Sequence, residues 1–222
     1  MTSEITTLLQ LLQLSDSALP IGGYSNSWGL ETWVQKGRLT SAAEVESALQ
    51  TLLLSSIAPT EGVACGLAHR SCGREDQSSF RTINAYLSAG RWCPEQLEAS
   101  LRMGDRLKQL SAKIAWAGSV PPGDTHHCTV FGWLACAAGI SQEQTVAAYL
   151  YSSMASLMSA CVRLVPLGHT DGQLVLTRLR ACIEPLVATV LAKEIDDIGG
   201  FAPMHEWACK QHETLYSRLF QS

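Results

Sequence analysis

His205, Cys209 and His212 stand at i, i+4 and i+7 near the end of the chain. At 3.6 residues per turn they share one helix face, and imidazole with thiolate at that spacing is a donor set for zinc or nickel. A complete site wants further ligands, however, and no second helix offers a matching pair. Glu206 and Glu213 flank the face without completing H-E-x-x-H. The competing reading is a partly buried face with Cys209 packed inward. His126-His127-Cys128, and His69 with Cys72, pose the same choice with fewer ligands. Nucleophile patterns are poorer still: no G-x-S-x-G elbow occurs, and no cysteine has a family-specific catalytic context. Asp196 and Asp197 are adjacent, so on a helix they diverge by about 100°. They read as a solvated helix end before Gly199.

The stretch ALPIGGYSNSWGLE, Ala18 to Glu31, raises a phosphate-loop question. A P-loop needs a lysine after its last glycine to neutralise phosphate charge. Here Leu30 and Glu31 follow Gly29, and a carboxylate repels phosphate. The stretch reads instead as a turn between helices: Pro20 breaks the first, Gly22-Gly23 turn the chain, and Ser25 or Asn26 caps the second. That second helix is expected to bury Leu30, Trp33 and Val34, leaving Tyr24 and Trp28 near its exposed start. Aromatic rings beside glycines are also what an interface favours. The tail KQHETLYSRLFQS, with Tyr216, Arg218, Leu219 and Phe220, is unusually apolar for a terminus and suited to docking, on its own body or on a partner.

The elements that position these residues are helical. ITTLLQLLQL fits one helix face and ends before Asp16. Ser41 with Glu44 and Ser141 with Gln144 have capping-box spacing. The first box opens a helix with a stripe at Val45, Ala48, Leu49, Leu52 and Leu53, closed by Pro59; a further segment covers about 60–72. The second box opens a long helix up to Pro166. Between them lie a short helix around FRTINAYLSAG and a longer one from Pro94, with Leu97, Leu101, Gly104, Leu107, Leu110 and Ile114 on one face. SVPPGDTHH is a loop, and HHCTVFGWLACAAGI is apolar on nearly all sides, hence buried all round. A helix from near Asp171 is expected to kink or restart at Pro185, and a last one starts with Pro203 in its first turn. Strand alternation is almost absent. The expected fold is all-α, one helical-bundle domain over 1–222 of about eight to ten helices, with a C-terminal tail at 210–222.

Bulk composition narrows the function classes. Hydrophobic residues make up 46% and charged residues 16%, which leaves little charge for the surface and favours association. The net charge of −4 with no long basic run gives no nucleic-acid footprint. The N-terminal MTSEITTLLQ has no basic start, so no secretory signal is expected. The eight cysteines are irregularly spaced, several in apolar helical patterns, as small buried residues of a reducing compartment. The nearly uncharged run Cys128 to Ile140 is too short for a bilayer, which needs about 20 residues. A soluble cytoplasmic protein is expected, with no nucleic-acid or membrane partner.

Five blocks in order, LLQLSDSALPIGGYSNSWGLE, LRMGDRLKQL, HHCTVFGWLACAAGI, VRLVPLGHTDGQ and HETLYSRLFQS, resemble the urease accessory protein UreF family along nearly the whole chain. Trp28 departs from the Gln or Phe of many members, and His169 from Gln or Ser. The resemblance implies an all-α homodimer without catalytic residues or a cofactor of its own. It implies binding to the accessory protein UreD (UreH in some systems) and recruitment of the GTPase UreG to apo-urease for nickel insertion, with modulation of that GTPase as an added role. Nickel and GTP then belong to UreG. Within the matching blocks, Tyr24, Trp28, His212, Glu213, Tyr216, Ser217, Arg218, Leu219 and Phe220 are the implied partner-binding residues. Tyr149 and Tyr151 are assigned to a dimer or UreG surface. The alternative is a nickel or zinc carrier using His205, Cys209 and His212.

Overall fold

The computed structural model describes residues 3–91, 93–114, 116 and 118–221. Met1, Thr2 and Ser222, at the ends of the expected domain and tail, lie outside the described residues. Among the described residues the only regular structure is helical. In chain order the α-helices are α1 (Glu4–Leu14), α2 (Leu30–Gln35), α3 (Ala42–Leu52), α4 (Val63–Gly73), α5 (Gln77–Gly90), α6 (Pro94–Lys113), α7 (His127–Ala137), α8 (Gln142–Leu164), α9 (His169–Leu191) and α10 (Pro203–His212). The all-α expectation holds.

Both capping boxes form as their spacing requires. The Ser41 hydroxyl accepts the Glu44 N–H while the Glu44 carboxylate accepts the Ser41 N–H, and Ser141 with Gln144 does the same. Val45, Leu49, Leu52 and Leu53 are buried as the stripe predicts. Helix α7 is buried on every side from Cys128 to Ala135 and packs against α4, α6 and α8. The 23-residue α8 lies beside α9 and α4 and buries Val146, Leu150, Met154 and Leu157. In α6 the buried residues are Ala99, Ser100, Gly104, Leu107 and Ser111, so of the apolar face expected there only Gly104 and Leu107 are buried. Helix α1 buries only Leu14 and leaves Ile5, Leu8, Leu9 and Leu12 more than half exposed.

Pro59 does not close a helix. Residues Leu53–Gly62 adopt π-helical geometry and join α3 to α4 in one 32-residue rod, Ala42–Gly73. Pro59 has no N–H to donate to the preceding turn, where π-helical i→i+5 spacing makes the Leu54 carbonyl the acceptor. Outside donors brace this stretch: Phe201 N–H gives 2.8 Å to the Ser55 carbonyl, and Gly199 N–H gives 3.2 Å to the Pro59 carbonyl. This approach requires glycine at 200, where a Cβ would stand 2.4 Å from the Ser55 oxygen. This rod and α8 are long and apolar enough to cross a membrane, yet 67% and 50% of their most apolar windows are buried inside the protein, as in core helices.

Two smaller expectations change, while the cysteines stand as expected. Helix α9 starts at His169, with Gly168 as its N-cap, and runs through Pro185 without a break. The Asp196-Asp197 pair lies in a single 3-10 turn, where the Asp197 carboxylate caps the Glu194 N–H at 2.9 Å. All eight cysteines are free thiols.

Candidate partner-binding site

The Ala18–Glu31 stretch turns on left-handed backbone. Gly22 has φ +88°, and after a short 3-10 turn at Gly23–Ser25, Trp28 and Gly29 take φ +53° and +75°. A tryptophan in that region costs about 1–2 kcal/mol. The position is held by packing: Trp28 is half-buried, with the Arg91 guanidinium 5.7 Å from its ring centroid. A Cβ on Gly29 would come within 2.8 Å of the Cys209 sulfur and 2.9 Å of the Cys209 nitrogen, so α10 lies directly on the turn. Helix α2 accordingly starts on Gly29, with no side-chain cap from Ser25 or Asn26.

The turn aims an unexpected residue inward. Glu31 is 1% exposed and Thr32 is fully buried, while Trp33 and Val34 are only half-buried. Thr32 donates 2.8 Å to the Ala208 carbonyl. The Glu31 carboxylate accepts Leu219 N–H at 2.7 Å, Phe220 N–H at 3.1 Å and His212 Nε2 at 3.0 Å. On its other side His212 Nδ1 is 2.9 Å from Glu95, whose second oxygen accepts Arg218 Nη1 at 2.7 Å. Each ring nitrogen of His212 thus stands within hydrogen-bond distance of a carboxylate, and Arg218 pairs with the outer of the two acids.

Backbone and aromatic contacts complete the joint. Gln221 N–H donates 2.8 Å to the Ser25 carbonyl, and the Gln35 amide donates 2.9 Å to the Ser217 carbonyl. Arg163, at the end of α8, lies 3.6 Å from the Tyr24 ring centroid and 4.5 Å from that of Phe220, and donates 2.8 Å to the Tyr24 carbonyl. Such cation–π contacts contribute about 0.5–1 kcal/mol each at an exposed site.

Of the residues singled out from sequence, Tyr24, His212, Arg218 and Phe220 belong to this one joint. Trp28 lies under the turn toward Arg91. Glu213 and Ser217 are exposed, Ser217 contributing its carbonyl. Tyr216 is fully exposed, Leu219 is 78% exposed and Tyr24 64%. Lys210 to His212 are the last turn of α10, so the tail proper begins at Glu213. Sequence reasoning missed Glu31, Glu95 and Arg163. Glu31 lies 181 residues from His212, and nothing local marks it as buried.

His205, Cys209 and His212 do share a buried face, but their donors point to separate partners. His205 Nε2 is 3.6 Å from the Cys209 sulfur, the Gln96 amide nitrogen is 2.7 Å from that sulfur, and both nitrogens of His212 are taken by carboxylates. Burial lowers His205 to about 4 and pushes the Cys209 thiol well above its usual range, away from the thiolate that binds metal. Among the described residues no group of three His, Cys, Asp or Glu side chains is placed to hold a metal. His126 bonds Ser100 and Ser88 through its two ring nitrogens, at 3.0 Å each. His127 packs edge-on to Phe131, and burial pushes the Cys128 thiol up.

A second buried ionic cluster lies deeper. Arg91 of the α5–α6 connection donates to Glu61 on the π-helical stretch, and the Tyr149 hydroxyl donates 2.7 Å to the other Glu61 oxygen. Tyr149 is therefore a core residue, 2% exposed, and cannot contribute to a dimer or UreG surface; Tyr151 is exposed.

Residues 39–180 match the UreF family model. The chain is 31% identical to the urease accessory protein UreF of Bacillus sp. (strain TB-90), over 97% of this chain and 99% of that protein. It is 33% identical to that of Nostoc sp., covering 96% and 95%. With that of Thermosynechococcus vestitus it shares 35%, covering 98% of each. The matched stretch contains Glu95 and Arg163 but neither Glu31 nor the tail.

Proposed function

This chain belongs to the UreF family of urease accessory proteins, and from that premise we propose that it serves urease maturation as a non-enzymatic scaffold. It binds UreD/UreH and with it recruits the GTPase UreG to apo-urease for nickel insertion, modulating that GTPase. It works in the cytoplasm as a homodimer, without nickel or GTP of its own. The observation that carries this reading is the joint between the early turn and the tail. A buried carboxylate fixes the backbone of Leu219 and Phe220, so that the side chains of Tyr24, Tyr216 and Leu219 stand in solvent on an anchored base. Exposed aromatic side chains on a rigid support are what hot spots are made of, and fixing them beforehand lowers the ordering cost of binding.

The test replaces exposed side chains and leaves the clasp alone. Tyr216→Ala with Leu219→Ala should keep the helical circular dichroism and melting temperature while co-purification with UreD/UreH drops at least tenfold. Undiminished co-purification of a folded double variant would remove the tail from the partner site. Equilibrium dialysis with nickel tests the carrier alternative: stoichiometric micromolar binding, lost on replacing His205, Cys209 and His212 by alanine, would replace the scaffold reading.

A further inference from the structure

The eight cysteines divide by what surrounds them. Cys65, Cys93, Cys128, Cys161 and Cys209 are buried, whereas Cys72, Cys136 and Cys182 are half-buried and open to solvent. Of those three, Cys182 on α9 has the Gln50 amide and the Arg178 carbonyl at its sulfur. Cys72 and Cys136 instead meet each other: their thiols share a hydrogen bond across the packed ends of α4 and α7. The neighbouring position agrees, since a Cβ on Gly73 would lie 3.6 Å from the Cys136 sulfur.

Helix packing explains the meeting. Gly132 of α7 lies flat on α4, where a Cβ would stand 2.2 Å from the Cys65 carbonyl oxygen and 3.2 Å from the His69 nitrogen. Glycine at the contact brings the two helices to the near end of the usual range, about 8 Å between axes. Cys136 is one turn beyond Gly132, and Cys72 is one turn beyond His69. A disulfide wants Cα atoms about 4.4–6.8 Å apart, a separation that only closely packed helices reach.

The reduced pair gains nothing from ionising. Burial, and then the Cys136 sulfur beside it, push the Cys72 thiol up to about 12. Both cysteines also lie in the last turns of their helices, where the helix dipole disfavours an anion. Disulfides that are strong oxidants owe it to a stabilised thiolate in their reduced form. Cys72 has no such stabilisation, so a bond here forms slowly and then resists reduction.

We propose that Cys72 and Cys136 are an oxidation site, joined as an intramolecular disulfide by exchange with a low-molecular-weight disulfide of the glutathione type. One thiol gives its proton to water and attacks a sulfur of the small disulfide. A mixed disulfide forms, and one small thiolate leaves and takes up a proton. The other cysteine then gives up its proton, attacks the protein sulfur of the mixed disulfide and releases the second small thiol. Two S–H groups are thereby oxidised to one S–S bond, and the small disulfide is reduced to two thiols.

The test incubates the folded full chain with oxidised glutathione and follows intact mass, alkylatable thiols and melting temperature. The expected product is two hydrogens lighter than the reduced chain and keeps six of the eight thiols for alkylation after denaturation. Closing the chain between residues 72 and 136 should raise the melting temperature by about 5–15 °C, and dithiothreitol should reverse the rise. Cys72→Ser and Cys136→Ser, conservative changes at half-exposed positions, should each keep the helical circular dichroism and stop at a glutathione adduct on the remaining cysteine. Cys182→Ser should oxidise as the parent does. An internal disulfide that survives in either single variant would overturn the proposal. So would a glutathione adduct on the parent chain that never resolves, or eight alkylatable thiols after prolonged incubation.

Discussion

Two glutamates are buried among the described residues, and they are held in opposite ways. Glu61 sits mid-rod and answers to side chains alone, the Arg91 guanidinium and the Tyr149 hydroxyl. Glu31 sits behind a turn and answers to one side chain and two backbone amides of the tail. The first ties helices that are already packed around the core. The second ties two segments at opposite ends of the sequence that share little apolar area: Phe220 is buried, but Tyr216, Ser217, Arg218 and Leu219 are exposed. Burial at Glu61 is a consequence of the core, while at Glu31 the carboxylate is itself the reason the segments meet.

The largest effect should follow from breaking the core cluster. Glu61→Ala leaves Arg91 buried without its counter-charge, and removing one partner of such a pair costs about 3–5 kcal/mol. Chemical denaturation should show that loss, and replacing Arg91 by Met in the same chain should recover part of it. At the other cluster, Glu31→Gln keeps shape and removes the charge. Charged hydrogen bonds contribute about 1.5–3 kcal/mol, and here the loss should be local. Amide hydrogen exchange should accelerate at Leu219 and Phe220 while the α7 amides keep their protection. Equal acceleration in both places would erase the distinction between the clusters.

Acid separates the regions more gently. Burial holds His126 at about 3 and His127 and His205 at about 4, against an ordinary 6.5. Below pH 6.5 the unfolded chain takes up protons that the folded one refuses, so stability falls with pH. The loss continues until the folded histidines protonate, near 4 and, for His126, near 3. Each contributes about 1.4 kcal/mol per pH unit within that window. Burial lowers His69 as well. Thermal melts should therefore drop between pH 6.5 and 5, and His205→Phe should flatten the slope by about one third of what His126, His127 and His205 contribute together. The smallest effect is expected from Arg163→Ala, about 1 kcal/mol, read as faster exchange at Gln221, whose N–H pairs with Ser25 beside the stacked Tyr24.

Features that depend on neighbours in sequence were legible before the structure. The two capping boxes, the buried stripe of α3 and the all-round apolar α7 are set by residues a few positions apart, and each forms as expected. The errors share the opposite cause. Pro59 reads locally as a stop, but the helix continues through it in π-helical geometry, braced by a loop some 140 residues later. Glu31 reads locally as solvent-facing charge, because its partners His212, Leu219 and Phe220 are 181, 188 and 189 residues away. Tyr24, Arg218 and the tail stood out by composition, but the residues that hold them, Glu95 and Arg163, carry no local mark.

The continuity of the 32-residue rod has a consequence in time as well as in space. The Ser55 carbonyl, one turn before Pro59, receives an N–H from Phe201, 146 positions later. At a synthesis rate of about 5–20 residues per second, roughly seven to thirty seconds separate the two on the ribosome. Through that interval the nascent rod has a weak point at its middle, so its two halves are free to pack against different neighbours as these emerge. The loop at Gly199–Phe201 then sets them as one piece, late in the making of the chain.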